Sequence, residues 1–278
     1  MTKFLLLPLL CLLLSHAASL HNKAAILNQS LRLQVNPQVQ TLEILNGGPS
    51  EGVKGELHEL QQWLSRATPQ PPAVASLAAA SYPPAPTNNA NDEMIEWMAE
   101  DGVTVLCPVP RKLAIGLTLR HRGIGVLLLT VDGRVLVHKR SATKRIFPSM
   151  CDMYIGGVCG IGEPSLDTMR REVEEEAGIR LETGRDDDQI AHLGQTMVQT
   201  SMNYCQVECY AVVLSAAQVG SLQFRDGEIV SGEFTPWAAL VAALTSGAYR
   251  STFVPDGMQV WDWMVREKRF PSFLGNEA

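Results

Sequence analysis

Apolar positions along the chain fall into three patterns, each with its own structural consequence. Residues 4–14 form an almost unbroken apolar run. Further on, Val53, Leu57, Leu60 and Leu64, with Trp63, recur at helical spacing and predict one amphipathic helix whose stripe packs within the molecule. Downstream of Asn91, strand-like and helical runs alternate. Strands are predicted over 124–131, 135–138, 153–155, 205–214 and 228–235. Helices are predicted over 164–177, 236–244 and 256–267, the last with Met258, Trp261, Met264 and Val265 turned inward. Asp132-Gly133 closes the first strand as a hairpin turn, and Asp226-Gly227 supplies another turn before the last. Such alternation predicts one α/β domain with a mixed sheet between helices.

Punctuation by proline divides the chain. Between residues 67 and 91, Pro69, Pro71, Pro72, Pro83, Pro84 and Pro86 interrupt Ala, Ser, Thr and Asn with no charged residue, a composition that cannot bury enough surface to fold. The expected organisation is therefore a leader over 1–18, an N-terminal segment over 19–66 with the one helix, a linker over 67–91, and the α/β domain over 92–278. The leader follows from the first pattern: one lysine, the apolar run, then small residues around Ala17 to Ser19 have the layout of a secretory signal peptide. The run is too short to span a bilayer comfortably, so no stable membrane span is expected. The chain is expected to enter the secretory pathway, secreted or luminal, or to reach a plastid through a bipartite leader if the organism is photosynthetic.

Composition narrows the class further. With 278 residues, 46% of them hydrophobic, the chain can bury one sizeable core, and its formal charge of -6 argues against binding bulk nucleic acid. Cleavage after the leader removes Cys11 and leaves Cys107, Cys151, Cys159, Cys205 and Cys209, an odd set with neither zinc-like spacing nor a disulfide framework. Asn28-Gln29-Ser30 is a glycosylation acceptor only if the chain is secreted.

Candidate chemistry concentrates between Gly157 and Ile179, in G-V-C-G-I-G-E-P-S-L-D-T-M-R-R-E-V-E-E-E-A-G-I. Glu172, Glu175 and Glu176 stand at i, i+3 and i+4, so on a helix they share one face and repel. A hard divalent cation such as Mg2+ or Mn2+ would turn that repulsion into coordination. Glu163 or Ser165 is expected to cap the helix, Pro164 to sit in its first turn, and Gly178 to end it in the left-handed conformation. Gly156, Gly157, Gly160 and Gly162 predict a tightly bent loop that brings Glu163 back to the helical acids. An E-x-x-E-E string alone is commonly just a solvated helix face. Here the glycines, Glu163 and Arg171 fall in register with it.

In that register the segment 157–179 resembles the Nudix hydrolase family, matching every fixed position of its signature G-x5-E-x7-R-E-U-x-E-E-x-G-U, where U is a bulky aliphatic residue. The resemblance implies a Nudix α/β/α sandwich with a mixed sheet, and Mg2+- or Mn2+-dependent hydrolysis of a diphosphate linkage in a nucleoside-diphosphate-linked or related small molecule. Carried over by position, Glu172 and Glu176 resemble the principal metal ligands, Glu175 a further ligand or the base that activates water, and Glu163 with Arg171 the pair that locks loop to helix. Gly157 and Gly178 are the structural glycines of the box. Glu228 stands where many relatives keep an additional acid. Many relatives also pair up, so a homodimer is compatible with the resemblance.

Upstream of the box, Lys139, Arg140, Lys144 and Arg145 form a cationic cluster suited to phosphate oxygens, although solvated basic patches look the same in sequence. The segment from His138 to Met150 and the R-H-R-G at Arg120 to Gly123 also resemble the branch related to isopentenyl-diphosphate isomerase. That branch supplies the rival activity, moving a double bond in a prenyl diphosphate. The position matching its catalytic cysteine is Gly156, and its Asn-x-x-Cys-x-His-Pro run is missing, so hydrolysis is the expected reaction. A nucleotide-sensing module without turnover is the remaining alternative, disfavoured because no acid of the signature is lost.

Overall fold

The computed structural model describes residues 33–36, 41–44, 54–66, 93–247 and 249–271. The leader, Cys11, the sequon at Asn28 and the linker over 67–91 lie outside the described residues. The chain divides into two compact units, Met1–Glu93 with Val109–Leu119, and Met94–Pro108 with Arg120–Ala278.

In the first unit, β1 (Leu33–Asn36) and β2 (Thr41–Ile44) pair antiparallel with Leu33 opposite Ile44. The predicted amphipathic helix is α1 (Lys54–Arg66), with Leu57 and Leu60 buried. A short α2 (Arg111–Gly116) lies against it, Lys112 pairing with Glu59.

The second unit begins with a hairpin of β3 (Met94–Met98) and β4 (Val105–Pro110). Then come β5 (His121–Thr130), β6 (Arg134–Arg140), β7 (Cys151–Asp152), β8 (Tyr154–Val158), α3 (Ser165–Ala177), β9 (Ile190–Gln199) and β10 (Tyr204–Leu214). The chain continues through α4 (Ala216–Ser221), β11 (Ile229–Pro236), α5 (Trp237–Thr245) and α6 (Pro255–Glu267). The main sheet runs β11-β6-β5-β10-β9, with β7 on β6 and β8 on β5. It is mixed because β5 and β10 pair in parallel, His121 opposite Cys205 through Thr130 opposite Leu214, while the other pairs are antiparallel.

Side-chain alternation along β5 builds two cores. Ile124, Val126 and Leu128 meet Met169, Val173 and Ala177 of α3 on one face of the sheet. Leu127 and Leu129 meet Trp237 and Leu240 of α5 and Met258, Trp261 and Met264 of α6 on the other. Burying Met169 or Val173 completely contributes roughly 1.5–3 kcal/mol each, which fixes the rotation of α3 about its axis. The architecture is the α/β/α sandwich with a mixed sheet.

Several local expectations are corrected. Gly156 and Gly157 belong to β8, where they pair with Gly125 and Ile124, so the loop starts later, around Gly160. Neither Glu163 nor Ser165 caps α3; Pro164 is its N-cap, and Ser165 Oγ bonds the Tyr210 hydroxyl at 2.8 Å. Val265 is 37% exposed, while Val260 and Trp263 join the inward side of α6. The segments β1 to β4, β7, β9, α2 and α4 have no counterpart among the predicted elements. Among the described residues, no helix is long and apolar enough to cross a membrane.

Candidate active site

The geometry of α3 follows from its ends and its apolar face. Val173, at the centre of that face, turns Glu172 and Glu176 to its margin, where both are buried, and Glu175 outward, where its side chain is 54% exposed. The helix stops at Gly178, whose φ of 69° is left-handed and whose N–H reaches the Glu174 carbonyl at 3.0 Å. A Cβ there would stand 2.9 Å from the Gln223 carbonyl oxygen. Gly157 has a different purpose: a Cβ would lie 2.0 Å from the Glu172 carboxyl carbon, so only glycine lets that carboxylate rest over β8.

Arg171 ties the loop to the helix. Its Nε donates to Glu163 Oε1 at 3.1 Å, and its Nη2 to Glu163 Oε2 at 3.3 Å and to the Val158 carbonyl at 3.2 Å. Its Nη1 reaches Glu172 Oε1 at 2.7 Å and Glu175 Oε2 at 3.1 Å. Glu163 Oε2 also accepts the Gly160 N–H at 2.8 Å. Burial works to raise the Glu163 pKa, but bonds from Arg171 and Gly160 prevail and hold it below the usual carboxylate range. At Glu172 burial wins: despite Arg171, and helped by the charges of Glu176 and Glu175, its pKa is pushed up to about 7.

A second group of acids assembles around Glu176. Carboxylate oxygens of Glu176, Asp226 and Glu228 lie within 4.8 Å of one another. Tertiary pairing brings them together, since the Ser141 N–H bonds the Glu228 carbonyl at 2.8 Å where β11 meets the end of β6. Asp226 Oδ1 accepts the Glu228 N–H at 2.9 Å, which fixes the turn. Asp226 is absent from the candidates read in the sequence, where it served only as a turn residue. The available signal was its position two residues before Glu228.

Lys144 enters this group. Its ammonium lies 3.3 Å from Glu176 Oε1 and also pairs with Glu228. Burial pushes the Glu176 carboxyl up and the Lys144 ammonium down, so desolvation opposes the charges of both partners even though they are paired. The other three basic candidates diverge. Arg140 donates to the carbonyls of Ile146 at 3.0 Å and Phe147 at 3.3 Å, holding the loop after β6, while Lys139 and Arg145 are exposed. Below them, burial aided by Arg140 and Lys144 drives His138 down to about 3, and its Nδ1 has no hydrogen-bond partner. Burial also lifts Asp152 to about 7, against the bonds it accepts from Met153 N–H at 2.8 Å and Tyr154 N–H at 3.1 Å.

These residues fit a divalent cation. The donors are all carboxylate oxygens, suited to Mg2+ or Mn2+, and the Lys144 ammonium already stands in as a positive charge among them. A separate cavity of about 510 Å3, lined by Ser165, Arg170, Asp187, His192, Glu208 and Tyr210 among others, shares no residue with the acids.

Comparison with known proteins gives the family. The NUDIX domain profile matches residues 119–256. The chain is 31% identical over 148 residues to the Nudix hydrolase orf19 of Rhodococcus erythropolis, covering 53% of this chain and 78% of that protein. The chain belongs to the Nudix family. It is also 42% identical over 87 residues to the Nudix hydrolase SCO1686 of Streptomyces coelicolor, covering 31% of this chain but only about half, 48%, of that relative's length. Among solved structures, DR0079 from Deinococcus radiodurans is 24% identical with a TM-score of 0.44, covering 56% of this chain and 90% of that one. In this Nudix chain, Glu163, Arg171, Glu172, Glu175 and Glu176 lie within the box, whereas Asp226 and Glu228 come from the turn just before β11, the edge strand paired with β6.

Proposed function

We propose that this chain is a Mg2+- or Mn2+-dependent hydrolase that cleaves the phosphoanhydride of a small organic or nucleoside-linked diphosphate. The observation that carries the reading is the convergence of Glu176, Asp226 and Glu228 on one cation-sized space beside an intact Nudix box. Glu176, Asp226 and Glu228 would hold the metal as one oxygen set, with Glu172, one turn away on α3, as a further ligand. When bound, the metal would screen the phosphate oxygens and lower the pKa of water. Arg171 and Glu163 fix the loop over the helix, so that the box carboxylates are pre-organised. Glu175, exposed beside Arg171, is assigned the proton released as water attacks phosphorus and the bridging oxygen departs with the other phosphate. Lys144, with Lys139 and Arg145 nearby in sequence, is assigned to the substrate's phosphate oxygens.

Likeness of the segment from His138 to Met150 to the isopentenyl-diphosphate isomerase-like branch supports an organic diphosphate as the substrate class. It does not favour isomerisation, because Cys159 is buried and its thiol is pushed above its ordinary pKa by that burial. We also propose that residues 1–18 are a cleaved signal peptide; the N-terminal sequence of the mature protein tests this, and a retained Met1 contradicts it. For the activity, the full chain is incubated with Mg2+ and a panel of nucleotide sugars, dinucleotides, ADP-ribose, coenzyme A and isopentenyl diphosphate. Two phosphate-bearing products from at least one substrate are expected. Dimethylallyl diphosphate, or ligand retention without product, would replace the hydrolase reading.

A further inference from the structure

Glu96 is a buried carboxylate, 4% exposed, in the middle of β3, a strand outside the residues 119–256 that the NUDIX profile matches. An unpaired charge at such burial costs several kcal/mol, so its partners explain its presence. Oε1 accepts the Gly162 N–H at 2.9 Å. Oε2 accepts Arg122 Nε at 3.1 Å and Nη2 at 2.9 Å, and the same Nη2 donates to the Glu163 carbonyl at 3.1 Å. Ile95 forms a β-bridge with Gly160, and the Cys159 N–H bonds the Arg122 carbonyl at 3.0 Å. Every residue from Cys159 to Glu163 except Ile161 is thus gripped from the side of β3 and β5.

The loop is consequently clamped twice. From α3, Arg171 holds the Glu163 side chain; from β3, Glu96 and Arg122 hold the Gly162 N–H and the Glu163 carbonyl. The two clamps are in series, because Arg171 also carries Glu172 and Glu175. We infer that Glu96 is a positioning residue for the box: through Arg122 and Gly162 it fixes the loop, and through Glu163 and Arg171 the orientation of Glu172. The β3–β4 hairpin is then a working part of the site and not an appendage. Its relevance to turnover rests on the hydrolase reading above; its effect on the loop does not.

Glu96→Gln keeps the shape and the acceptor for Gly162 but puts an amide against the Arg122 guanidinium. Arg122→Lys is the second variant, since an ammonium cannot bond Glu96 and the Glu163 carbonyl in the same fork geometry. Amide hydrogen exchange, followed by mass spectrometry on the full chain, compares a peptide over 158–164 with one over 124–130. The expected result is exchange faster by about tenfold or more in 158–164 with 124–130 unchanged, and a fall in kcat of roughly 10- to 100-fold with KM little altered. Unchanged exchange in both variants, or exchange accelerated equally in both peptides, would overturn the inference. If the wild-type chain turns over no diphosphate, the hydrolase reading fails while the exchange comparison still decides the clamp.

Discussion

Glu172 and Glu176 are one helical turn apart and buried together, yet only Glu176 meets Asp226 and Glu228. Replacing Glu176 by Gln should therefore reduce Mg2+ affinity and turnover by about 100-fold or more, and Asp226→Asn by about tenfold, both read by metal titration and initial rates. Lys144→Met removes the competing ammonium. Mn2+ binding should tighten while KM for the diphosphate rises; weaker Mn2+ binding would contradict the stand-in role. A pH signature follows from Glu172, whose folded pKa of about 7 exceeds its ordinary 4.5. Its contribution to stability is complete below about 4.5 and is lost as pH rises through about 7. With a chelator present, Tm of Glu172→Gln should gain on wild type between pH 5 and 8, whereas a pH-independent difference would refute the burial argument. Glu163, Arg171, Glu172 and Glu176 were legible in the sequence because helix geometry and one short loop relate them. Asp226 was not, because it reaches Glu176 through the pairing of β11 with β6, which no local spacing encodes.

Elements with strong periodicity were equally legible: α3, α6 and the β5–β6 hairpin lie within a few residues of their predicted bounds. The strand β9 escaped notice because it is a sheet edge whose burial does not alternate, with His192, Gln195 and Gln199 exposed. Helical spacing alone puts Val265 on the inward side of α6, yet it is 37% exposed, whereas Trp263 is buried. The end of α3 offers a test at this scale. Gly178→Ala meets both a left-handed φ and the Gln223 carbonyl, so it should destabilise by about 1 kcal/mol or more, seen as a lower urea midpoint with unchanged m. An unaltered midpoint would show that the helix ends for another reason.

At the scale of the whole molecule, one core holds both α3 and the start of β11, because Met169 and Val173 share it with Ile229 on the same face of the mixed sheet. The fold class was legible from alternating strand and helix patterns, but strand order was not, since parallel pairing of β5 with β10 joins segments about 80 residues apart, His121 with Cys205. Hydrolysis by this chain requires the assembled site to take a hard divalent cation. Calorimetric titration of Mn2+ into the full chain, beside Glu176→Gln, measures that uptake directly. Saturable uptake by the wild-type chain that is lost in the variant is the predicted result; no uptake by the wild-type chain, with or without a candidate diphosphate, would contradict the account.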